Sequence, residues 1–326
     1  MKKLVSILCV VMLLIMSIFP ASAANDGNEK TMTGMELSIK RISGKFAEKT
    51  EDEIAKDILR ELGMSENLIE GVNEEYLDMV YNAKNISVNN QYGKVNNEGE
   101  VTLLSHEEAK EEMTERGIKN TGNSTRTLEG DTWDERPDSL FNKSIYVVET
   151  RNAPKGTMGL ICGFEWIDES FYRCWDVVAI SGTNLEFDEE ATFMSVVYVE
   201  QIEDLFLSET TVTGVVNDFD FYDLEMENDV IYAGNFVGAK FDVPMDVYTP
   251  IMLWMYNNIG VVFMTSAVIT HPQEETNFTV TSWYFHQSIM FDGDVSLSGD
   301  GLSLSISPSY KYDDPHQMQL SLKYIP

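Results

Sequence analysis

Ile251-Met252-Leu253-Trp254-Met255-Tyr256-Asn257-Asn258-Ile259-Gly260-Val261-Val262-Phe263-Met264 is apolar enough to be a membrane segment, and how it is read decides the fold. The central Asn257-Asn258-Ile259-Gly260 has turn composition, so the run reads as a tight β-hairpin whose strands face core on both sides. A pore-forming hairpin would leave one face polar to line a lumen, and that alternation is missing. No stable membrane insertion is therefore expected of this segment.

Outward from this run the helical period is absent. Short β-branched and aromatic stretches recur at 145–150, 158–166, 171–180, 193–200, 210–216, 230–232, 235–241, 278–291, 302–306 and 318–324, separated by Asn, Asp, Gly and Pro turns. Such a series predicts a mainly β fold, an antiparallel β-sandwich or a partly closed barrel, over residues 139–326.

The N-terminal part has a different texture. Thr50-Glu51-Asp52-Glu53 fits a capping box, and Ile54, Ile58, Leu59 and Leu62 form one helical face that stops at Gly63. A second helix is expected after Ser65, with Gly71 as its weak point. Residues 85–104 read as a β-hairpin around Asn96-Asn97-Glu98-Gly99, and Ser105-His106-Glu107-Glu108 as another capping box. Residues 50–120 are thus a small helical, α+β region. Residues 121–138 are a linker by composition, and 25–49 are expected to be a flexible N-terminus.

Lys2 and Lys3, the apolar run 4–19 and Pro20-Ala21-Ser22-Ala23-Ala24 have the order of a secretory signal peptide over residues 1–24. The expected product is secreted or displayed at the cell surface. Cys9 would leave with the signal, so Cys162 and Cys174 remain in a compartment where disulfides persist. They flank two aromatic-rich runs centred on Asp168; read as a hairpin, this makes them cross-strand neighbours and a candidate disulfide.

The chain carries 23 Lys plus Arg against 54 Asp plus Glu, and losing Lys2 and Lys3 would take the formal charge from −31 to −33. A surface of that sign repels phosphate backbones and anionic lipid headgroups alike, so neither a nucleic-acid partner nor electrostatic membrane binding is expected.

Chemistry-bearing patterns are sparse. His106, His271, His286 and His316 are scattered, no G-x-S-x-G elbow occurs, and His106-Glu107-Glu108-Ala109-Lys110 is not a zinc helix. Asp218-Phe219-Asp220-Phe221-Tyr222-Asp223 resembles the E-x-D-x-x-E strand of the β-jelly-roll endoglucanases, with Asp at both outer positions. The resemblance implies an acid/base pair, with Asp218, Asp220 and Asp223 as alternative catalytic residues. No cofactor is required by any motif; calcium is the ion that Asp218, Asp220 and Asp223, or Asp292, Asp294 and Asp300, would hold. Trp166, Trp175, Trp283 and Tyr284 are candidate ligand-binding aromatics, provided they reach solvent.

Ile58-Leu59-Arg60-Glu61-Leu62-Gly63-Met64-Ser65 through Glu75-Tyr76-Leu77, the hairpin at Tyr92 and the Phe164-x-Trp166 strand together resemble a group of exported proteins of Gram-positive bacteria. The resemblance implies the export and the organisation above, and no activity. The expectation is an exported, non-catalytic β-sandwich that binds an extracellular protein or glycan. The alternatives are a glycoside hydrolase using the Asp218 strand, and a precursor whose N-terminal region is a prosegment.

Overall fold

The computed structural model describes residues 28–96, 100–116, 139–151, 153–168, 175–204, 209–220, 222–223, 230–232, 234–243, 247–249, 252–292, 295–298, 301–304, 307–312 and 316–326. The N-terminal elements are β1 (Asn28–Met32), α1 (Gly34–Phe46), α2 (Glu51–Glu61), α3 (Glu66–Glu70), α4 (Glu74–Tyr81), β2 (Ala83–Val95), β3 (Val101–Leu104) and α5 (His106–Glu115). Then come β4 (Ser139–Thr150), β5 (Thr157–Asp168), β6 (Trp175–Thr183), β7 (Leu185–Asp204), β8 (Glu209–Asp220), β9 (Val230–Tyr232), β10 (Phe236–Asp242) and β11 (Val247–Tyr248). The chain closes with β12 (Met252–Ile269), β13 (Thr276–Asp292), β14 (Val295–Ser298), β15 (Gly301–Leu304), β16 (Ser307–Tyr312) and β17 (His316–Tyr324).

Each helix begins where the sequence supplies a cap. Thr50 accepts from the Glu53 amide and Glu53 Oε2 accepts from the Thr50 amide, so two donors at the start of α2 are satisfied reciprocally. Ser105 and Glu108 repeat the arrangement at α5. Ser65 and Asn73 cap α3 and α4, and Gly71 ends α3.

Every pairing between described strands is antiparallel. One sheet runs β1-β2-β4-β5-β12-β7-β8, with β3 added to β2 and β11 to β12. The other runs β16-β13-β6-β10-β9, with β17 pairing the first half of β13. The sheets are not closed into a barrel, so the sandwich is the architecture and the barrel alternative falls.

The central strands of the larger sheet, β4, β5 and β12, are buried on both faces along most of their length. Phe141, Ile145, Leu160, Cys162, Phe164, Trp166, Val261 and Phe263 point toward the smaller sheet and meet Val178, Ile180, Val237, Val280, Tyr284 and Leu320. Tyr146, Val148, Ile161, Val262 and Met264 point the other way, under Leu68, Ile69, Tyr76 and Leu77 of the helices. Hence β4, β5 and β12 read as nearly continuous apolar runs rather than alternating ones. Leu68 sits so close to the sheet that a Cβ on Gly163 or Gly260 would lie 2.9 or 2.7 Å from its methyl carbons. The β17 backbone is tied to the larger sheet by Asn89 Nδ2, which donates to the Gln319 carbonyl at 2.8 Å, and by Lys143 Nζ, which donates to that of Gln317 at 2.7 Å.

Three expectations are corrected. Residues 28–46 are not a flexible tail: β1 pairs with β2, and the Thr33 amide donates to Glu36 Oε2 at 2.7 Å at the start of α1. The run 251–264 is no hairpin, because β12 passes straight through Asn257-Asn258-Ile259-Gly260. One extra residue opposite Val197–Val199 makes a β-bulge there, with Asn258 at φ +50°. The cysteine-bearing hairpin is also replaced. Both edges of β5 are filled, by β4 and β12, so β6 crosses to the facing sheet between β10 and β13. Cys162 is buried opposite Ile145 and Phe263, and burial raises its thiol pKa; Cys174 lies outside the described residues, as do the signal 1–24 and the linker 121–138.

The N-terminal region supplies a strand to the main sheet: β2 pairs with β4 from Ala83 through Val95. Removing it would bare the edge of β4 and the apolar face under α2–α4. A protease site engineered within 117–138 and cut in the purified protein is therefore expected to leave two fragments that co-elute on gel filtration and separate only in denaturant. Fragments that separate under native conditions would favour the prosegment organisation.

Candidate functional site

The aromatic candidates are mostly core. Trp166 Nε1 donates to Tyr284 Oη at 3.0 Å, Tyr284 Oη donates to Asp176 Oδ2, and Asp176 Oδ1 is 2.8 Å from His286 Nδ1. All four side chains are buried, and Phe164 stacks on Tyr284. Trp166 and Tyr284 therefore cannot be a solvent-facing platform; their polar atoms are needed to satisfy one another inside the sandwich. Trp283 is half-buried on the outer face, where Nε1 donates to Ser181 Oγ at 3.0 Å. The Trp175 side chain lies outside what is described.

The acidic strand forms an edge rather than a cleft. Asp218 and Asp220 end β8, which closes the larger sheet on that side. Asp218 Oδ1 accepts from Ser195 Oγ at 2.6 Å, and the Asp223 amide donates to Asp220 Oδ1 at 2.9 Å. All three are exposed; Asp218 bonds its cross-strand neighbour, and Asp220 with Asp223 makes a capped turn. Among the described residues no three His, Cys, Asp or Glu side chains converge so as to hold a metal ion. Asp294 and Asp300 lie outside the described residues, as does the side chain of Asp292.

A site that the sequence did not announce lies where α2, β2 and α5 meet. A cleft of about 210 Å³ is lined by Lys30, Glu61, Asn90, Tyr92, Ser105 and His106, among others. Lys30 Nζ donates to the Glu61 carbonyl at 2.9 Å and Asn90 Nδ2 to the Leu62 carbonyl at 2.7 Å, which fixes the end of α2 over the sheet. Gly63, at φ +99°, makes that turn; a Cβ there would stand 2.7 Å from Asn90 Nδ2. The Tyr92 and His106 rings lie 5.6 Å apart at 58°.

The cleft floor continues as a polar strip beneath the helices. Tyr92, Asn142 and Glu165 stand in register across β2, β4 and β5, and Asn90 stands opposite Ser144 in the adjacent row. Among the described residues, buried Asn90 Oδ1 and Asn142 Oδ1 have no hydrogen-bond partner. Such atoms are costly unless something meets them. Asn67 Nδ2 reaches Glu165 Oε1 at 3.3 Å and the Asn258 carbonyl at 2.5 Å. Burial pushes the Glu165 carboxyl up to about 7, although Ser65 and Asn67 pull the other way. Burial, followed by the Glu165 charge, also raises the Tyr92 phenol. On the opposite face of β4, burial pulls the Lys143 ammonium down to about 7.

No family model and no curated protein matches the chain. Similar solved structures include the collagen-binding domain of a Staphylococcus aureus adhesin, at 7% identity over 50% of this chain and 86% of that one, TM-score 0.25. The collagen-binding domain of the Erysipelothrix rhusiopathiae surface protein RspB is 7% identical over 76% and 69%, TM-score 0.25. Clostridium perfringens delta-toxin is 6% identical over 73% and 89%, TM-score 0.20. At these TM-scores the likenesses transfer no role to this chain. The fold itself defines the class: an antiparallel β-sandwich backed on one sheet by helices, with a polar cleft at the helical end.

The two buried charges set a pH signature. Glu165 keeps its proton in the native state between its ordinary 4.5 and about 7, so rising pH removes stability across that window, on the order of 3 kcal/mol in full. Lys143 has lost its proton natively by about 7, against an ordinary 10.5, so its penalty is complete below 7 and relieved as pH rises to 10.5. In denaturant titrations, Glu165→Gln is expected to exceed the wild type in stability at pH 7 and above, with the gap closing toward pH 4.5. Lys143→Met should gain below pH 7 and lose that gain toward 10.5. Gaps that do not change with pH would contradict both assignments.

Proposed function

We propose that the chain is an exported, non-catalytic binding protein and that its ligand is a neutral glycan seated in the cleft between α2, β2 and α5. The observation that carries this reading is the buried amide oxygen of Asn90, unpartnered among the described residues, beside the Tyr92–His106 ring pair. A sugar offers an apolar ring face to an aromatic wall and hydroxyls to an amide, and Lys30, Glu61 and Ser105 add further polar groups at the rim. The charge of −31 favours a neutral ligand over an anionic one. Export is supported by the order of the first 24 residues and by the resemblance to exported Gram-positive proteins. The glycosidase alternative lacks an enclosed pair of carboxylates, since Asp218, Asp220 and Asp223 are exposed.

A protein partner is the second reading, and the edge of β8 favours it. Thr210-Thr211-Val212-Thr213-Gly214-Val215-Val216 is an uncharged, β-branched edge run, with Val212 41% and Val216 39% exposed. An extended segment of a partner could add to it as a further strand.

Titration calorimetry against a panel of neutral oligosaccharides separates the two. The cleft reading expects at least one ligand whose affinity falls about tenfold or more in Asn90→Leu and in His106→Ala, with Val212→Lys/Val216→Lys unaffected. Absence of any saccharide ligand for the wild type, or binding that ignores the cleft variants, would contradict it.

A further inference from the structure

The outer face of α1 carries an apolar stripe. Met35, Ile39, Ile42 and Phe46 are spaced by four, three and four residues, which aligns them on one side of the helix, and they are 77%, 57%, 56% and 86% exposed. The helix is held from its opposite side, where Leu37 is buried and Gly44 meets Ile54 so closely that a Cβ would stand 2.4 Å from Ile54 Cγ1. Large side chains in such a row on an exposed helix mark a docking face.

The chemistry beside the stripe says what it docks on. Ser38, Arg41 and Lys45 run along one flank, and Arg151 joins them from the end of β4 with Nη2 donating to Ser38 Oγ at 3.1 Å. Arg41 Nη1 donates to the Tyr81 carbonyl at 2.6 Å, and Lys45 Nζ stands 5.7 Å over the Tyr81 ring. The contacts of the three cations are with carbonyl, hydroxyl and ring groups, and among the described residues the one carboxylate acting on them, Glu51 on Lys45, does so through its charge, after the Tyr81 contact, in a chain with 54 acids. Burial and the neighbouring Arg151 charge depress the Arg41 pKa, as expected where cations crowd one another. A second copy would oppose its own cationic flank and add two strongly acidic bodies, so self-association is disfavoured. An apolar stripe with a cationic flank matches an anionic lipid surface, where acyl chains take the one and phosphates the other.

We propose that α1 docks the protein peripherally on an anionic lipid surface, with Met35, Ile39, Ile42 and Phe46 at the acyl boundary and Arg41, Lys45 and Arg151 among the headgroup phosphates. The net charge repels such a surface at long range; α1 supplies a local exception to it. Among the described residues no helix is long and apolar enough to cross a membrane, and α1, at 13 residues, would lie along one.

The test is co-sedimentation of the full chain with vesicles of phosphatidylcholine alone or mixed equally with phosphatidylglycerol, using wild type, Ile39→Glu/Phe46→Glu and Lys45→Gln/Arg151→Gln. All three share the same first 27 residues, so differences between them report α1 and its flank. Unchanged melting temperatures are expected, since the replaced side chains are exposed. The wild type should sediment with the mixed vesicles, and each double variant should lose about tenfold in partitioning. A wild type left in the supernatant, an Ile39→Glu/Phe46→Glu variant that sediments equally, or indifference to phosphatidylglycerol would overturn the proposal. So would light scattering that reveals a dimer dissolved by the same variant, which would assign the stripe to a second copy.

Discussion

The structure depends on a sheet whose central strands have no free side. β4, β5 and β12 are paired along both edges, packed against a second sheet on one face and covered by helices on the other. The apolar area removed from water is therefore concentrated in three strands, and the rest of the chain is arranged around satisfying them. That constraint explains why β6 leaves its sequence neighbour for the opposite sheet and why glycine stands at 163 and 260, where Leu68 of α3 touches the strand backbone.

The same arrangement creates the polar strip. Rows of side chains on the helix-facing side of the sheet change from Val88, Tyr146, Ile161 and Met264 to Asn90 and Ser144, and then to Tyr92, Asn142 and Glu165. The covering helices step from α4 to α3 and the end of α2 along this direction, leaving the cleft where α5 approaches β2. A buried carboxyl held near neutrality and buried amide oxygens without a partner among the described residues follow from placing polar residues beneath the helices.

Local chemistry was legible in the residues and pairing was not. The capping boxes at Thr50 and Ser105, the break at Gly71 and most strand positions could be read directly, because each rests on neighbours in sequence. Asn257-Asn258-Ile259-Gly260 has the composition of a turn whether the chain reverses or merely bulges, and only the long strand β7 beside it decides. The aromatic runs around Asp168 have the pattern of two halves of one hairpin; β4 fills one edge of β5 from nearby in sequence, and β12, about a hundred positions away, fills the other. The aromatic pattern of Trp166 and Tyr284 fits a solvent-facing platform as well as a core, and only their partner Asp176 shows that they face inward. Asn90, Tyr92 and His106 carried no motif, since the cleft is assembled from three separate elements; Glu165, an acid between Phe164 and Trp166 in a strand buried on both faces, was the one available hint.

Native-state hydrogen exchange reports which backbone groups of the sheet and the helical layer open together. Amides of β4, β5 and β12 are expected to exchange only through global unfolding, and those of β2, α2 and α4 to share that free energy within error. If residues 50–95 instead exchange as a block through a distinct and much cheaper opening, the helical layer is an appendage and the two-faced sheet is not what holds the molecule together.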